Sequence, residues 1–255
     1  MPILDHFSDK IKRISHFHSF HNAWATQIAF ELNKILPKGF IAEPNVHLGN
    51  LGEIDVRADE LLSEDTTSLL TQYHAPAPRG TIQVSFPDET EIFIVNISQA
   101  RATVGVIEIV SPSNKDRQRH RNLFVSKCLS IISQGISLLI VDIVTIYPFN
   151  FHNELLRKLE ATEGQMEEDW ETPLYCSVYH YISEFVPNRK PLASVSEANS
   201  LPFGTTELSV LQLWTHALKV GDILPELPLF ISSEIAVPVK LEEAYMKTRE
   251  GLRIF

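Results

Sequence analysis

Apolar and polar positions along this chain change their period several times, and each change marks an element. From Phe17 to Ile35 the apolar residues Phe20, Trp24, Ile28, Leu32 and Ile35, with Ala29, follow the spacing of an amphipathic helix, which Pro37-Lys38-Gly39 stops. Residues 1–16, ahead of it, mix apolar and basic side chains and read as an entry helix or arm. Phe40 to His47 reads as a strand, and Glu53-Ile54-Asp55-Val56-Arg57 as a second with Ile54 and Val56 on one face and Asp55 on the polar one. Residues 59–79 are acidic, then rich in Ser, Thr and Pro, and read as a mobile surface insertion. Thr81 to Phe86 and Glu91 to Ile97 predict two more strands joined through Pro87-Asp88-Glu89-Thr90.

The clearest pattern lies between Thr103 and Val144. Thr103 to Val110 is β-branched or apolar except for Gly105 and Glu108, which fits a central strand with one carboxylate near its C-terminal end. Ser111-Pro112-Ser113-Asn114 breaks the strand, and a basic segment leads into a helix over Asn122 to Gln134 that ends at Gly135. Ile136 to Val144 is then a buried strand, so the unit predicts a right-handed parallel crossover. Further on, the periodicity predicts a helix over Phe151 to Thr162, strands over Tyr175 to Ile182 and Leu208 to Leu213, turns at Pro187 to Pro191 and Val220 to Pro225, and a helix over Val239 to Thr248. The predicted fold is α/β: a central mixed sheet flanked by helices, with C-terminal strands and a helix. It forms one domain over residues 1–255, with a core at about 17–170, an N-terminal helical arm and a C-terminal extension.

Composition narrows the classes. With 44% hydrophobic and 21% charged residues the chain is that of a globular protein rather than a disordered one. No apolar run approaches roughly 18 residues and the start lacks a basic region followed by an apolar one, so no membrane partner and a cytoplasmic location are expected. Cys128 and Cys176 are too few for a disulfide framework and too far apart for a zinc knuckle, and are expected as buried thiols. His16, His18 and His21 lie close in sequence but complete no zinc signature. A net charge of −10 opposes diffuse attraction to nucleic acid. Against that background Lys115, Arg117, Arg119, Arg121 and Lys127 face a single acid, Asp116, and form a local basic patch.

Asp55 and Glu108, on neighbouring strands, supply the hard oxygen ligands that Mg²⁺ or Mn²⁺ needs, with water completing the shell. A nearby lysine, Lys127 or Lys115, would position a water or stabilise charge on a phosphate. The same residues also admit a structural reading, with Asp55 facing solvent, Glu108 paired to a structural Arg and the patch as a solvated helix face. Glu31, on the Phe17–Ile35 helix, could face the same cleft, although a solvated helix face is the more usual place for such an acid.

The segment Val106-Ile107-Glu108-Ile109-Val110-Ser111-Pro112-Ser113-Asn114-Lys115 resembles the E-[IV]-[LV]-S-P-x-N-K hallmark of a bacterial domain-of-unknown-function family. The helix around Phe20-His21, the Asp55 strand, the Lys127 helix with Gly135 behind it and the Ile140-Val141-Asp142 strand extend the resemblance over most of the chain. That family is similar to the PD-(D/E)XK, or restriction-endonuclease-like, superfamily, in which an Asp, a strand Glu and a Lys bind metal and act on phosphodiesters. The resemblance implies Asp55 and Glu108 as metal ligands and catalytic residues, with DNA or RNA as substrate. Val110 stands where the superfamily has its strand lysine, so Lys127 on the following helix is expected to supply the amine, and Lys115, Arg117, Arg119 and Arg121 to contact phosphate. The competing expectation is a catalytically silent binding or scaffold protein that keeps the fold.

Overall fold

The computed structural model describes residues 2–48, 52–60, 73–83, 102–167, 173–187 and 205–254. In chain order the elements are α1 (Asp9–Lys12), α2 (Phe17–Asn33), β1 (Phe40–Leu48), β2 (Gly52–Glu60), β3 (Gly80–Gln83), β4 (Ala102–Ile109), α3 (Pro112–Lys115), α4 (Gln118–Ser133), β5 (Ser137–Asp142), α5 (Phe151–Lys158), β6 (Leu174–Pro187), β7 (Thr205–Leu218), β8 (Glu226–Phe230), β9 (Ala236–Lys240) and α6 (Leu241–Gly251).

Among the described residues, seven strands form one mixed sheet in the order β1-β2-β4-β5-β6-β7-β3, while β8 and β9 make a separate antiparallel ribbon. β4 and β5 are parallel, with Glu108 opposite Ile140, and α4 is their crossover. The other pairings in the sheet are antiparallel. α4 crosses back because Phe124, Val125, Cys128, Ile131 and Ile132 form its buried stripe. It stops at Gly135, whose φ of 75° suits a residue without Cβ. There the Gly135 amide donates to the Ile132 carbonyl and the Ile136 amide to that of Ile131, the paired bonds of a Schellman end.

Alternation along the strands sends the core to both faces. Ile107, Ile109, Leu139, Val141, Cys176, Val178 and Trp214 face α2, α6 and the β8–β9 ribbon. Val106, Val110, Leu138, Ile140, Tyr175 and Tyr179 face α4 and α5. The result is a sheet flanked by helices, and no helix among the described residues is long and apolar enough to cross a membrane.

Several boundaries differ from the sequence reading. β3 pairs with β7, a partner the sequence reading did not foresee, and the strand expected over residues 91–97 lies outside the described residues. Of the segment read as a mobile insertion, residues 61–72 lie outside the described residues, but Tyr73 and Ala75 pack on the core and the Pro76 carbonyl accepts from the Trp214 indole at 2.9 Å. β8 and β9 occupy the stretch between the Val220–Pro225 turn and the last helix, where no strands were expected. β6 and β7, read as part of an extension, complete the central sheet.

Candidate functional site

Glu108 shares a face with Val106 and Val110, so the alternation that buries those valines also directs this carboxylate under α4, where it is 3% exposed. A buried carboxylate requires a partner, and Lys127 on α4 provides one: its Nζ lies 2.7 Å from Glu108 Oε2. Lys127 keeps 17% of its side chain exposed and sits 5.3 Å from the centre of the Phe124 ring, so its stem is packed while its amine borders solvent. Cys128, the next residue, is a free buried thiol pushed up by burial and then by the Glu108 charge. Cys176 is likewise buried and its thiol pushed up.

Asp55 stands on β2, which neighbours β4 in the sheet. Val56 pairs with Ile107, and these are the chain neighbours of Asp55 and Glu108. The Asp55 side chain lies outside the described residues.

Lys115 does not join the exposed basic patch. It is fully buried, with its amine 2.7 Å from Asp142 Oδ2, and Asp142 is fully buried too. The pair is a charge contact rather than a well-aligned hydrogen bond. Burial pushes the Asp142 carboxyl up, while Lys115 and the Val144 amide, which donates at 3.2 Å, oppose the shift. Tyr175, opposite Asp142 on β6, has its phenol pushed well up by burial.

The Ser111-to-Lys115 corner is fastened from several sides. Asn114 Oδ1 accepts from the Ser111 amide at 2.8 Å, and the Asn114 amide donates to the Ser111 carbonyl. Arg121 Nε donates to the Lys115 carbonyl at 2.8 Å, and His120 Nδ1 donates to that of Ser113 at 3.0 Å. Arg121 also lies 4.9 Å over the Phe149 ring, so Lys115 and Arg121 are engaged within the fold. Arg117 and Arg119 are exposed, and Asp116 is shared between Arg117 and His120.

Other sequence candidates have separate places. Glu31 binds Gln27, Lys34 and Lys247 on the α2–α6 side of the sheet, away from the Glu108 face. His21 Nε2 donates to the Ile109 carbonyl at 2.8 Å. No three His, Cys, Asp or Glu side chains converge as a metal cluster among the described residues. Asp142 escaped the sequence reading as a site residue; its signal was an acid ending the wholly apolar run Leu138 to Val141.

No family model, curated protein or solved structure matches this chain. The site therefore rests on its own geometry.

Proposed function

We propose that this protein is a divalent-metal-dependent phosphodiesterase of the restriction-endonuclease-like type that acts on nucleic acid. The observation that carries the reading is the Lys127 amine 2.7 Å from Glu108, on a strand next to the one that bears Asp55. Asp55 and Glu108 would hold Mg²⁺ or Mn²⁺, and a donor set of two carboxylates fits a hard cation that keeps several of its waters. When bound, such an ion supplies Lewis-acid polarisation of a phosphoryl oxygen and lowers the pKa of a water. Lys127, fixed by Glu108 and bordering solvent, would stabilise negative charge developing on the phosphate. Arg117 and Arg119, the exposed members of the basic segment, would contact the backbone; Lys115 and Arg121 are left out because Asp142 and Phe149 engage them.

A second reading has its own support. Glu108 and Lys127 neutralise each other, and the chain is acidic overall at −10, as suits a silent binding or scaffold protein of the same fold. Cleavage assays with Mg²⁺ or Mn²⁺ at low ionic strength, on single- and double-stranded DNA and RNA, separate the two. Glu108→Gln should abolish cleavage. Lys127→Met should reduce turnover about 10²- to 10³-fold while metal affinity, measured by calorimetry, stays nearly unchanged. Activity surviving Glu108→Gln, or none on any substrate, would favour the silent reading.

A further inference from the structure

One feature beside the candidate site has no part in the chemistry above, an exposed tyrosine on strained backbone, and it lies next to the segment that carries the solvent-open arginines. Because β4 and β5 run parallel, the segments leaving their C-terminal ends, residues 110–117 and 143–150, emerge at the same edge of the sheet. Ligands of open α/β sheets gather at such edges. The two segments also touch, through Lys115 with Asp142 and through Arg121 over Phe149.

Tyr147 is 43% exposed and has φ 64°. That region is disfavoured for an aromatic residue, and the following Pro148 adds a second steric objection, since a residue before proline is pushed toward extended backbone. Strain of this kind persists only where the surroundings fix it. Here they do. The Phe149 amide donates to the Tyr147 carbonyl at 2.8 Å, Phe149 packs edge-on against Phe151 at 5.0 Å, and Phe151 lies 4.4 Å from Phe124 of α4. Asn150 accepts from the Asn153 amide at 3.0 Å and caps α5. Tyr147 is thus an aromatic ring on fixed backbone at the edge of the molecule, near a segment whose Arg117 side chain is 72% exposed and whose Arg119 is exposed as well.

We infer that this edge binds single-stranded nucleic acid, with Tyr147 stacking on an unpaired base and Arg117 and Arg119 contacting phosphates. The inference rests on the reading of the site as one that acts on nucleic acid, and it assigns the strandedness of the ligand. An aromatic ring can stack only on a base whose face is open, and such stacking tolerates any sequence. A duplex offers no open base face along its length, and two exposed arginines, one of them beside Asp116, on a chain of net charge −10 attract a duplex weakly.

The test is fluorescence anisotropy of the full chain in metal-free, low-salt buffer, with labelled oligothymidylate, oligouridylate and a duplex of equal length. Both single strands should bind more tightly than the duplex. Tyr147→Asn, which tolerates the left-handed backbone but lacks the ring, should weaken single-strand binding about 5- to 150-fold and leave duplex binding unchanged. Tyr147→Phe, which keeps the ring, should bind as the native protein does. Arg119→Ala should lower the slope of log affinity against log salt by about 0.7, one phosphate contact on a single strand. Duplex binding as tight as single-strand binding, equal binding by Tyr147→Asn, or no binding to any probe would overturn the inference. Single-strand binding without cleavage on any substrate would instead sink the phosphodiesterase reading alone, and cleavage confined to duplexes would sink the strandedness alone.

Discussion

Lys115 and Lys127 each sit 2.7 Å from a carboxylate, and their surroundings separate them: Lys115 and Asp142 are fully buried, whereas Lys127 keeps 17% of its side chain exposed. A closed pair can only hold the fold, while a pair that borders solvent can meet a substrate. Removing one member of a closed pair leaves an uncompensated buried charge, so Lys115→Met or Asp142→Leu alone should each cost about 3–5 kcal/mol. The double variant, with no charge left, should regain most of that loss, and urea denaturation of the four proteins checks the coupling. Strictly additive losses would mean that the two residues act independently. At this scale the sequence was informative about Glu108, because a single carboxylate in an apolar strand is visible as a break in the pattern. It could not separate the two lysines, since the partner of each depends on helix rotation and strand register rather than on sequence spacing. Asn114, read as a strand breaker and as a member of the S-P-x-N-K match, closes the corner before Lys115 by accepting from the Ser111 amide.

Among the elements, the strand, helix, strand unit was legible because its periods are long and unambiguous, and the parallel pairing of β4 with β5 follows from it. The β8–β9 ribbon was not legible. Each strand is short, and Pro228 and Pro238 stand opposite one another in it, which reads as punctuation because proline disfavours central strands; a two-stranded ribbon accommodates both. The β3–β7 pairing joins segments far apart in the chain, which no local periodicity could signal. Gly105 is where the ribbon meets the sheet: a Cβ there would lie 3.1 Å from Leu229 Cγ and Cδ2, and Leu229 is only 1% exposed, with little room to move. Gly105→Ala should therefore destabilise the fold by about 1–3 kcal/mol through overpacking, although alanine is otherwise as good a strand residue as glycine or better. Thermal unfolding of Gly105→Ala beside Gly105→Ala/Leu229→Ala identifies the cause. Relief of part of the penalty in the double variant, relative to Leu229→Ala alone, locates the strain at this contact.

In the molecule as a whole, the two ends of the described chain are laced together. The Leu4 amide donates to the Tyr245 hydroxyl at 2.9 Å, and that hydroxyl shares a 2.8 Å hydrogen bond with His6 Nε2, while Gly221 and Asp222 exchange backbone hydrogen bonds with Ile3. Two histidines in this core are held neutral: burial first, then Arg249, lowers His6 from 6.5 to about 4, and burial lowers His180 to about 4 as well. His180 is 4% exposed and lies flat on Phe230 at 3.9 Å with 7° between the rings. Between pH 6.5 and about 4 the unfolded chain takes up a proton at each histidine while the folded chain does not. Stability must therefore fall as pH drops through that window, by about 1.4 kcal/mol per pH unit per histidine and roughly 3 kcal/mol for each across it, and below pH 4 both states are protonated and the loss stops. Carboxylates titrate in part of the same range, so the slope of the native protein alone does not isolate the histidines. His180→Phe does: it keeps the stacked ring on Phe230 and removes the titrating group. Urea denaturation from pH 8 to pH 4 should show the variant losing stability less steeply than the native protein, by about 1.4 kcal/mol per pH unit between 6.5 and 4, with equal slopes above pH 7. Parallel curves throughout would mean that His180 accepts its proton in the folded state as readily as in the unfolded one, and that its burial against Phe230 opens easily.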